Sequence, residues 1–398
     1  MMNEDLNFLA QQSGILPNAQ QLLLLRACLL TGEESIQSFE KWVKMIDLDI
    51  NNASIEKGAV LPQIYDSLDL GSQRLLSLLY KNISDQEYTH SLIVQLKSYY
   101  KYIWYKNQIL KSRLHDLSKA FNQKGIELMI FKGIALSEKY YQDYGKRPTV
   151  DLDIIVPQKS WDQAVDLVLN NGWTSKSRNP YHLPLSQVSA HSFDKDKLDL
   201  DLHYRVSYYP LKESFYKNIW KHSISNDFGY KTLHPAYELF FTILHGYQYN
   251  EIPAIRWIAD ATLIIKSFDT TMWNMFYKLI REQQSISPFQ EALLYLQTQG
   301  FISIPDEIST FLISHKTVQN PLVIIATKSR TENSFALVKL KVSQIRRKHT
   351  NNPIKIMRSL LNHYAYEWEK KNYLQVLIMC FITLVDKIIS PKRKLLRK

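Results

Sequence analysis

Asp151 and Asp153 lie one residue apart in the segment Arg147-Pro148-Thr149-Val150-Asp151-Leu152-Asp153-Ile154-Ile155-Val156. Acids alternating with Leu, Ile and Val read as a strand. On it the two carboxylates share one face, and Leu152, Ile154 and Val156 share the other. Like charges held side by side on a rigid strand repel, and a hard cation between them is the simplest compensation. Mg²⁺ suits the position, because it takes one or two protein carboxylates and fills its octahedron with water and substrate phosphates. The competing readings are a solvent-facing strand edge, or acids paired with nearby Lys and Arg. A second acidic run, Lys197-Leu198-Asp199-Leu200-Asp201-Leu202-His203-Tyr204-Arg205, puts Asp199, Asp201, His203 and Arg205 on one face. Two such strands side by side bring three carboxylates to one point and can hold two metal ions, a clamp on the attacking and leaving oxygens of in-line displacement at phosphorus.

Other groups complete the constellation. Phe131-Lys132-Gly133-Ile134-Ala135-Leu136 reads as a strand-to-helix turn. A glycine there lets a ligand approach the backbone, the helix start offers free N–H groups to phosphate oxygens, and Lys132 adds charge. Arg147 either neutralises a triphosphate or fixes Asp151. His203 either orients the carboxylate or touches substrate, or makes a structural hydrogen bond. Asp260, one turn after Arg256 on an apolar helix, reads as an i, i+4 ion pair with it. His245 reads as a satisfied core histidine, and Tyr99, Tyr100, Tyr102, Trp104 and Tyr105 as packing in a core or an interface. P-loop, dinucleotide-binding, zinc and nucleophile-elbow motifs are absent from the sequence.

The elements that must position these residues follow from composition and periodicity. Only 11 glycines occur in 398 residues, which favours long helices. Residues 17–123 are helical in pattern, ending with a long segment over 86–122 that stops at Gly125. The texture then alternates: a strand over 126–131, a helix over 134–144, the acidic strand from Val150, a helix over 160–170, and a hairpin joining 191–193 to 197–206 through Asp194-Lys195-Asp196. Helical pattern returns after Pro235, at 237–247, 252–266, 270–298, 333–347, 353–370 and 372–389. The expected architecture is therefore α+β: a small mixed sheet over 125–210, embedded between a helical N-terminal region (1–124) and a helical C-terminal region (211–398). Cys28 and Cys380 fit reduced, buried thiols of a cytoplasmic protein.

The N-terminus carries no basic leader, and no run reaches the roughly 18 apolar residues that span a bilayer. Leu374 to Val385 reads as a buried terminal helix followed by a basic tail, with peripheral contact to an anionic membrane as the functional alternative. A net charge of +11 suits a phosphate-rich partner: nucleotide, nucleic acid or membrane surface.

The order Lys-Gly, helix, Arg-Pro-x-x-Asp-x-Asp, helix, Asp-Leu-His resembles the uncharacterised bacterial nucleotidyltransferase family of the DNA polymerase β-like superfamily. The likeness covers roughly residues 90–270. It extends to Leu233-His234-Pro235-Ala236-Tyr237-Glu238-Leu239 with His245, and to Ile255-Arg256-Trp257-Ile258-Ala259-Asp260. The resemblance implies a polymerase β-like core in which Asp151, Asp153 and Asp201, rather than Asp199, bind the metal and perform catalysis, while Lys132, Gly133, Arg147 and His203 bind the nucleotide. One departure stands out: Gly133 is followed by Ile134, where the superfamily has a serine, and Lys132 takes over its place at the phosphate. The implied reaction transfers a nucleoside monophosphate from a nucleoside triphosphate to an acceptor hydroxyl, with Mg²⁺ (or Mn²⁺) as cofactor. The acceptor is open among small molecule, peptide, protein and RNA. The alternative is a catalytically silent binding or regulatory protein on the same fold.

Overall fold

In the computed structural model of the chain, residues 16–52, 60–176, 180–181, 189–206, 211–247, 254–283, 286–314, 342, 352–367 and 372–382 are described. Helix α1 (Ala19–Leu29) opens with a reciprocal cap. The Asn18 side chain accepts from the Gln21 amide and Gln21 accepts from the Asn18 amide, satisfying donors that a helix start leaves free. α2 (Gly32–Asn52), α3 (Val60–Ser67), α4 (Leu70–Gln73), capped by Asp69, and α5 (Leu76–Ser84) follow. The long predicted helix is α6 (Ser91–Gln123), after which Gly125 takes a positive φ.

The sheet region begins with β1 (Met129–Ile130) and α7 (Gly133–Leu136), which runs into a π-helical turn at Ser137–Tyr141. Next come β2 (Asp151–Ile155), α8 (Trp161–Asn170), β3 (Thr174–Ser175), β4 (Ala190–Lys195) and β5 (Leu198–His203). The predicted hairpin is β4–β5. It is closed by Asp196 and Lys197, both at positive φ, the turn geometry whose twist matches the strands. α9 (Glu213–Lys221), β6 (Ile224–Ser225) and β7 (Lys231–Thr232) precede the C-terminal helices. These are α10 (Pro235–Gly246), α11 (Arg256–Ile265), α12 (Thr270–Gln283), α13 (Ile286–Thr298), α14 (Asp306–Ser314) and α15 (Pro353–Glu367).

The seven strands make one mixed sheet in the order β3-β4-β5-β2-β1-β7-β6. The protein is thus α+β with helical flanks, as expected. Two strands from beyond residue 210 join the sheet, β7 running parallel to β1. β2 and β5 lie side by side and parallel at its centre, so that Asp151 is opposite Asp199 and Asp153 opposite Asp201.

Each face of the sheet has its own core. Leu152, Ile154, Val156, Leu198, Leu200 and Leu202 pack beneath the second half of α6 (Leu110, Leu114, Leu117, Phe121) and beneath α8 (Trp161, Ala164, Val165, Val168). The other face contributes Met129, Phe131 and Ile155 to a larger cluster that runs from Leu24 in α1 to Phe240, Ile258, Phe289 and Leu312. The N- and C-terminal helices therefore share one core. Arg26 also donates to the Gln299 carbonyl (3.1 Å) and Lys266 to that of Leu29 (3.4 Å). The acidic residues lie on this second face, so the helices that cover it form the walls of whatever they face.

Three peripheral expectations change. In the helical stretch 373–382, Leu374, Leu377 and Phe381 are exposed among the described residues, and so is Cys380; Val376 alone is fully buried there. Residues 383–398, with the basic tail, and nearly all of 333–347 lie outside the described residues. Of the α6 aromatics, Tyr99 packs on the core and Tyr100 donates to Asp143, whereas Tyr102, Trp104 and Tyr105 are exposed. Among the described residues no helix is long and apolar enough to cross a membrane.

One buried ion pair fixes the start of β2. Arg147, only 3% exposed, bonds Asp260 of α11 through both arms of its fork (Nε–Oδ1 2.8 Å, Nη2–Oδ2 2.9 Å), and the Tyr141 hydroxyl donates to the same carboxylate at 2.7 Å. Burial opposes the Asp260 charge, but Arg147 outweighs it and holds the carboxyl below its ordinary range. The expected partner Arg256 instead donates to the Pro148 carbonyl at 2.7 Å. Removing one member of such a pair strands the other. Asp260→Ala should therefore lower the unfolding free energy by roughly 3–5 kcal/mol in urea titration, and joint replacement by Arg147→Met and Asp260→Leu by clearly less. Equal losses for the single and double variants would contradict this account.

Candidate active site

Alternation along β2 and β5 turns Asp151, Asp153, Asp201 and His203 onto the face away from α6 and α8. Register sets Asp153 beside Asp201, and Ser192 of β4, opposite Asp201, donates to it at 2.6 Å. Asp153 is the buried member, 7% exposed. It accepts from Lys132 Nζ at 3.0 Å and lies 3.1 Å from His203 Nε2, whose ring meets Phe131 edge-on. Burial works against the Asp153 carboxylate, yet Lys132 and His203 outweigh it and keep it ionised far below the usual range. Asp151 is treated differently. Burial first, then the Asp153 and Asp201 charges, push its carboxyl up to about 6, while Lys132 and Arg256 only partly compensate. Asp199 leaves the group: it is half-exposed and ion-paired to Lys176.

The Lys132-Gly133 junction is held by strain and close packing. Lys132 adopts φ 55°, ψ −138°, a conformation that costs a side-chain-bearing residue about 1–3 kcal/mol and persists only where surroundings impose it. Here the Lys132 amide donates to Glu238 Oε1 of α10 at 3.4 Å, and the ammonium is drawn to Asp153. A Cβ at Gly133 would lie 2.7 Å from the Thr149 methyl and 3.3 Å from the Asp151 carbonyl. The glycine is thus required by the approach of α7 to the start of β2. Ile134, beside it, is buried in the core under α6.

These groups open onto a cleft of about 510 Å³ between the sheet and α4, α10 and α11. Lys132, Gly133, Asp151, Asp153 and Asp201 all line it. Arg147 also reaches its wall, but its guanidinium is committed to Asp260 and donates to the Gly133 carbonyl at 3.4 Å. It neither bonds Asp151 nor keeps a free fork for phosphate; its effect is to pin the junction. His245, expected in the core, is instead exposed and lines the cleft. Desolvation against the cleft wall, then Lys132, lower its pKa to about 4.

Two cleft residues receive no role from the sequence, although Glu238 falls in a stretch that carries the resemblance. Glu238 sits in an apolar helix, and only a buried acid amid Phe and Leu hints at a role. Its carboxyl is pushed up to about 7 by burial, against Lys139 and the Lys132 amide, and its Oε2 has no hydrogen-bond partner among the described residues. Arg74, at the end of α4, carries no local signal at all.

The donors fit a divalent cation. Asp153, Asp201 and His203 can each bring a ligand atom within 4.8 Å of the others, and Asp151, outside that group, lines the same cleft with a carboxyl raised by burial and then by the Asp153 and Asp201 charges. Oxygens suit Mg²⁺, and the imidazole also suits Mn²⁺.

The model of a family described as an uncharacterised nucleotidyltransferase matches residues 70–298, from α4 to the end of α13, and the chain belongs to that family. No curated protein matches it.

Two outcomes are expected. Gly133→Ala should lose about 1–3 kcal/mol of stability through overpacking, and Thr149→Ser, which removes the opposing methyl, should restore most of it in the double variant. An additive double variant would exclude that contact as the cause. Protons and cation compete for Asp151, whose raised pKa keeps a proton on it below about 6. Mn²⁺ affinity measured calorimetrically should therefore climb as pH rises from about 5 to 7 and then level off; a flat profile would remove Asp151 from the site.

Proposed function

Proceeding from that membership, we propose that the protein transfers a nucleoside monophosphate from a nucleoside triphosphate to an acceptor hydroxyl. Asp151, Asp153 and Asp201 would hold Mg²⁺ or Mn²⁺. The observation that carries this reading is the register of two parallel central strands, which sets Asp153 beside Asp201, with Asp151 on the same face of an open cleft.

In the step, the acceptor oxygen bonds to the α-phosphorus while the bond to the oxygen bridging to the β-phosphorus breaks. Pyrophosphate leaves with that electron pair, and the acceptor proton passes to Asp201, one of whose oxygens Ser192 steadies. When bound, the divalent ion neutralises phosphate charge and polarises the reacting oxygens. Lys132 holds Asp153 in place and can meet a phosphate oxygen, its stem being only partly buried. His203 orients Asp153 through Nε2, on the same Oδ1 that Lys132 meets, its Nδ1 lying 3.2 Å from the Arg205 carbonyl. The walls given by α10 and α11 lower the effective dielectric beside the sheet, which strengthens each of these interactions.

A second reading, a binding or regulatory protein that transfers nothing, draws support from Lys132 standing on Asp153 and from apolar Ile134 at the phosphate turn. Metal titration separates the two, since only the enzyme needs a cation held by Asp151 and Asp201. Small molecule, peptide, protein and RNA remain the classes of acceptor to be tried.

With a labelled nucleoside triphosphate, Mg²⁺ and candidate acceptors, mass spectrometry should find an acceptor heavier by one nucleotide. Asp153→Asn or Asp201→Asn should cut the rate by at least about a hundredfold. Full activity in either variant would rule out this site as the centre of transfer.

A further inference from the structure

We infer that Arg74 of α4 and Arg256 of α11 form an anion subsite that takes the β- and γ-phosphates of the nucleotide, and hence pyrophosphate as it leaves. The inference rests on the nucleotidyl-transfer reading for its ligand, but on separate residues for its evidence.

Four cationic side chains line the cleft: Arg74, Lys132, Arg147 and Arg256. Two of them are engaged. Arg147 is locked to Asp260 by a bidentate pair, and Lys132 is bonded to Asp153. Neither Arg74 nor Arg256 pairs with a carboxylate among the described residues. Arg256 is held by a single bond from Nη1 to the Pro148 carbonyl (2.7 Å), so its position is set from one side while most of its donor fork stays uncommitted. Burial, then the Arg147 charge, lower the Arg256 pKa to about 10; Asp260 offsets part of this, and Arg74 adds a weaker repulsion from across the cleft lining. Unpaired like charges gathered in a half-closed cleft raise the same question as the acidic pair, with the sign reversed. A polyanion answers it.

The geometry orders the ligand. Arg256 is bonded to the Pro148 carbonyl, three residues before Asp151, and both line the same cleft, so the acidic and basic groups are adjacent stretches of it. A triphosphate with its α-phosphorus at the carboxylates would extend its distal phosphates toward Arg256 and Arg74. Guanidinium forks match phosphate oxygens two by two, and they carry charge at every working pH. Such a subsite also replaces what the turn at Gly133 lacks. Ile134 brings no hydroxyl, and its side chain is buried in the core beneath α6. The subsite further explains why helices far from the sheet in sequence close over it: Arg74 comes from the N-terminal helices and Arg256 from the C-terminal ones.

The test uses inorganic pyrophosphate as the probe, titrated calorimetrically into the full chain with and without Mg²⁺. The wild-type chain should bind it. Arg74→Gln and Arg256→Gln should each weaken binding by about tenfold or more, Arg74→Gln with an unchanged thermal midpoint. Since Arg256 also holds the Pro148 carbonyl and its loss can unfold the chain, Arg74→Gln carries the decision. In that variant a nucleoside triphosphate should lose affinity while the matching monophosphate keeps its own. Pyrophosphate that fails to bind the wild type, or binds Arg74→Gln at full strength, overturns the subsite. If pyrophosphate binds through the arginines but no nucleotide is bound or transferred, the subsite stands and nucleotidyl transfer falls. If transfer survives undiminished in Arg74→Gln, the reverse holds.

Discussion

The buried pair between Arg147 and Asp260 is the constraint on which the rest of the site depends. It joins the segment before β2 to α11, two parts of the chain 113 residues apart. The same segment is gripped from a third side, where Asn107 of α6 donates to the Tyr144 and Arg147 carbonyls, the latter at 2.8 Å. With Arg256 on the Pro148 carbonyl, both faces of the sheet and both helical regions hold one short stretch of backbone. β2 leaves that stretch in a fixed register against β5, and register is what sets Asp153 beside Asp201. A one-residue slip would turn the acids into the apolar layer under α6 and the leucines into the cleft. Burying an ion pair this deeply adds little net stability. Its effect is positional, because a bidentate fork tolerates only one arrangement of its two ends.

Charge in the cleft is balanced locally rather than on average. Of the three strand acids, Asp153, the buried one, has two partners, Lys132 and His203; Asp151, more open, has none of comparable strength, and its carboxyl is raised. A site built only for stability would pair its most repelled carboxylate. Here the compensation is withheld at the edge that faces the opening, where a mobile cation and an anionic ligand can supply it. Strain is placed the same way: the positive φ at Lys132 is tolerated because Glu238 accepts its amide and Asp153 draws its ammonium inward.

What the sequence discloses is what local pattern encodes. Asp and Leu alternate in Leu198-Asp199-Leu200-Asp201-Leu202, so the strand, its faces and its acids are all legible. The spacing in α6 likewise yields a helix ending near Gly125. β6 and β7 are two residues each and owe their place to β1, so no periodicity announces them. Asp260 shows the limit most clearly. One turn from Arg256 on the same helix, it invites an i, i+4 pair, yet a planar fork reaching from another element offers two straight bonds where a helical neighbour offers a looser one. Arg147 consequently changes meaning, from a candidate phosphate ligand to the fastening of the junction. Sequence proximity ranks partners by distance along the chain; the folded protein ranks them by desolvation and geometry.

That re-pairing also bears on which cations remain for a ligand. Had Asp260 taken Arg256, Arg147 would be left unpaired behind Gly133, deep in the wall and 3% exposed, where a bulky anion has no access. With Asp260 given to Arg147, the unpaired guanidinium is Arg256, at the start of α11 and lining the open cleft beside Arg74. One carboxylate among three arginines thus decides whether the excess positive charge is locked inside the protein or presented to the cleft. The chain presents it, next to acids that repel one another. Adjacent clusters of opposite sign do not simply cancel, because each is anchored on its own rigid element. A cation coordinated by a phosphate chain neutralises both at once, which neither an isolated metal ion nor an isolated anion would do.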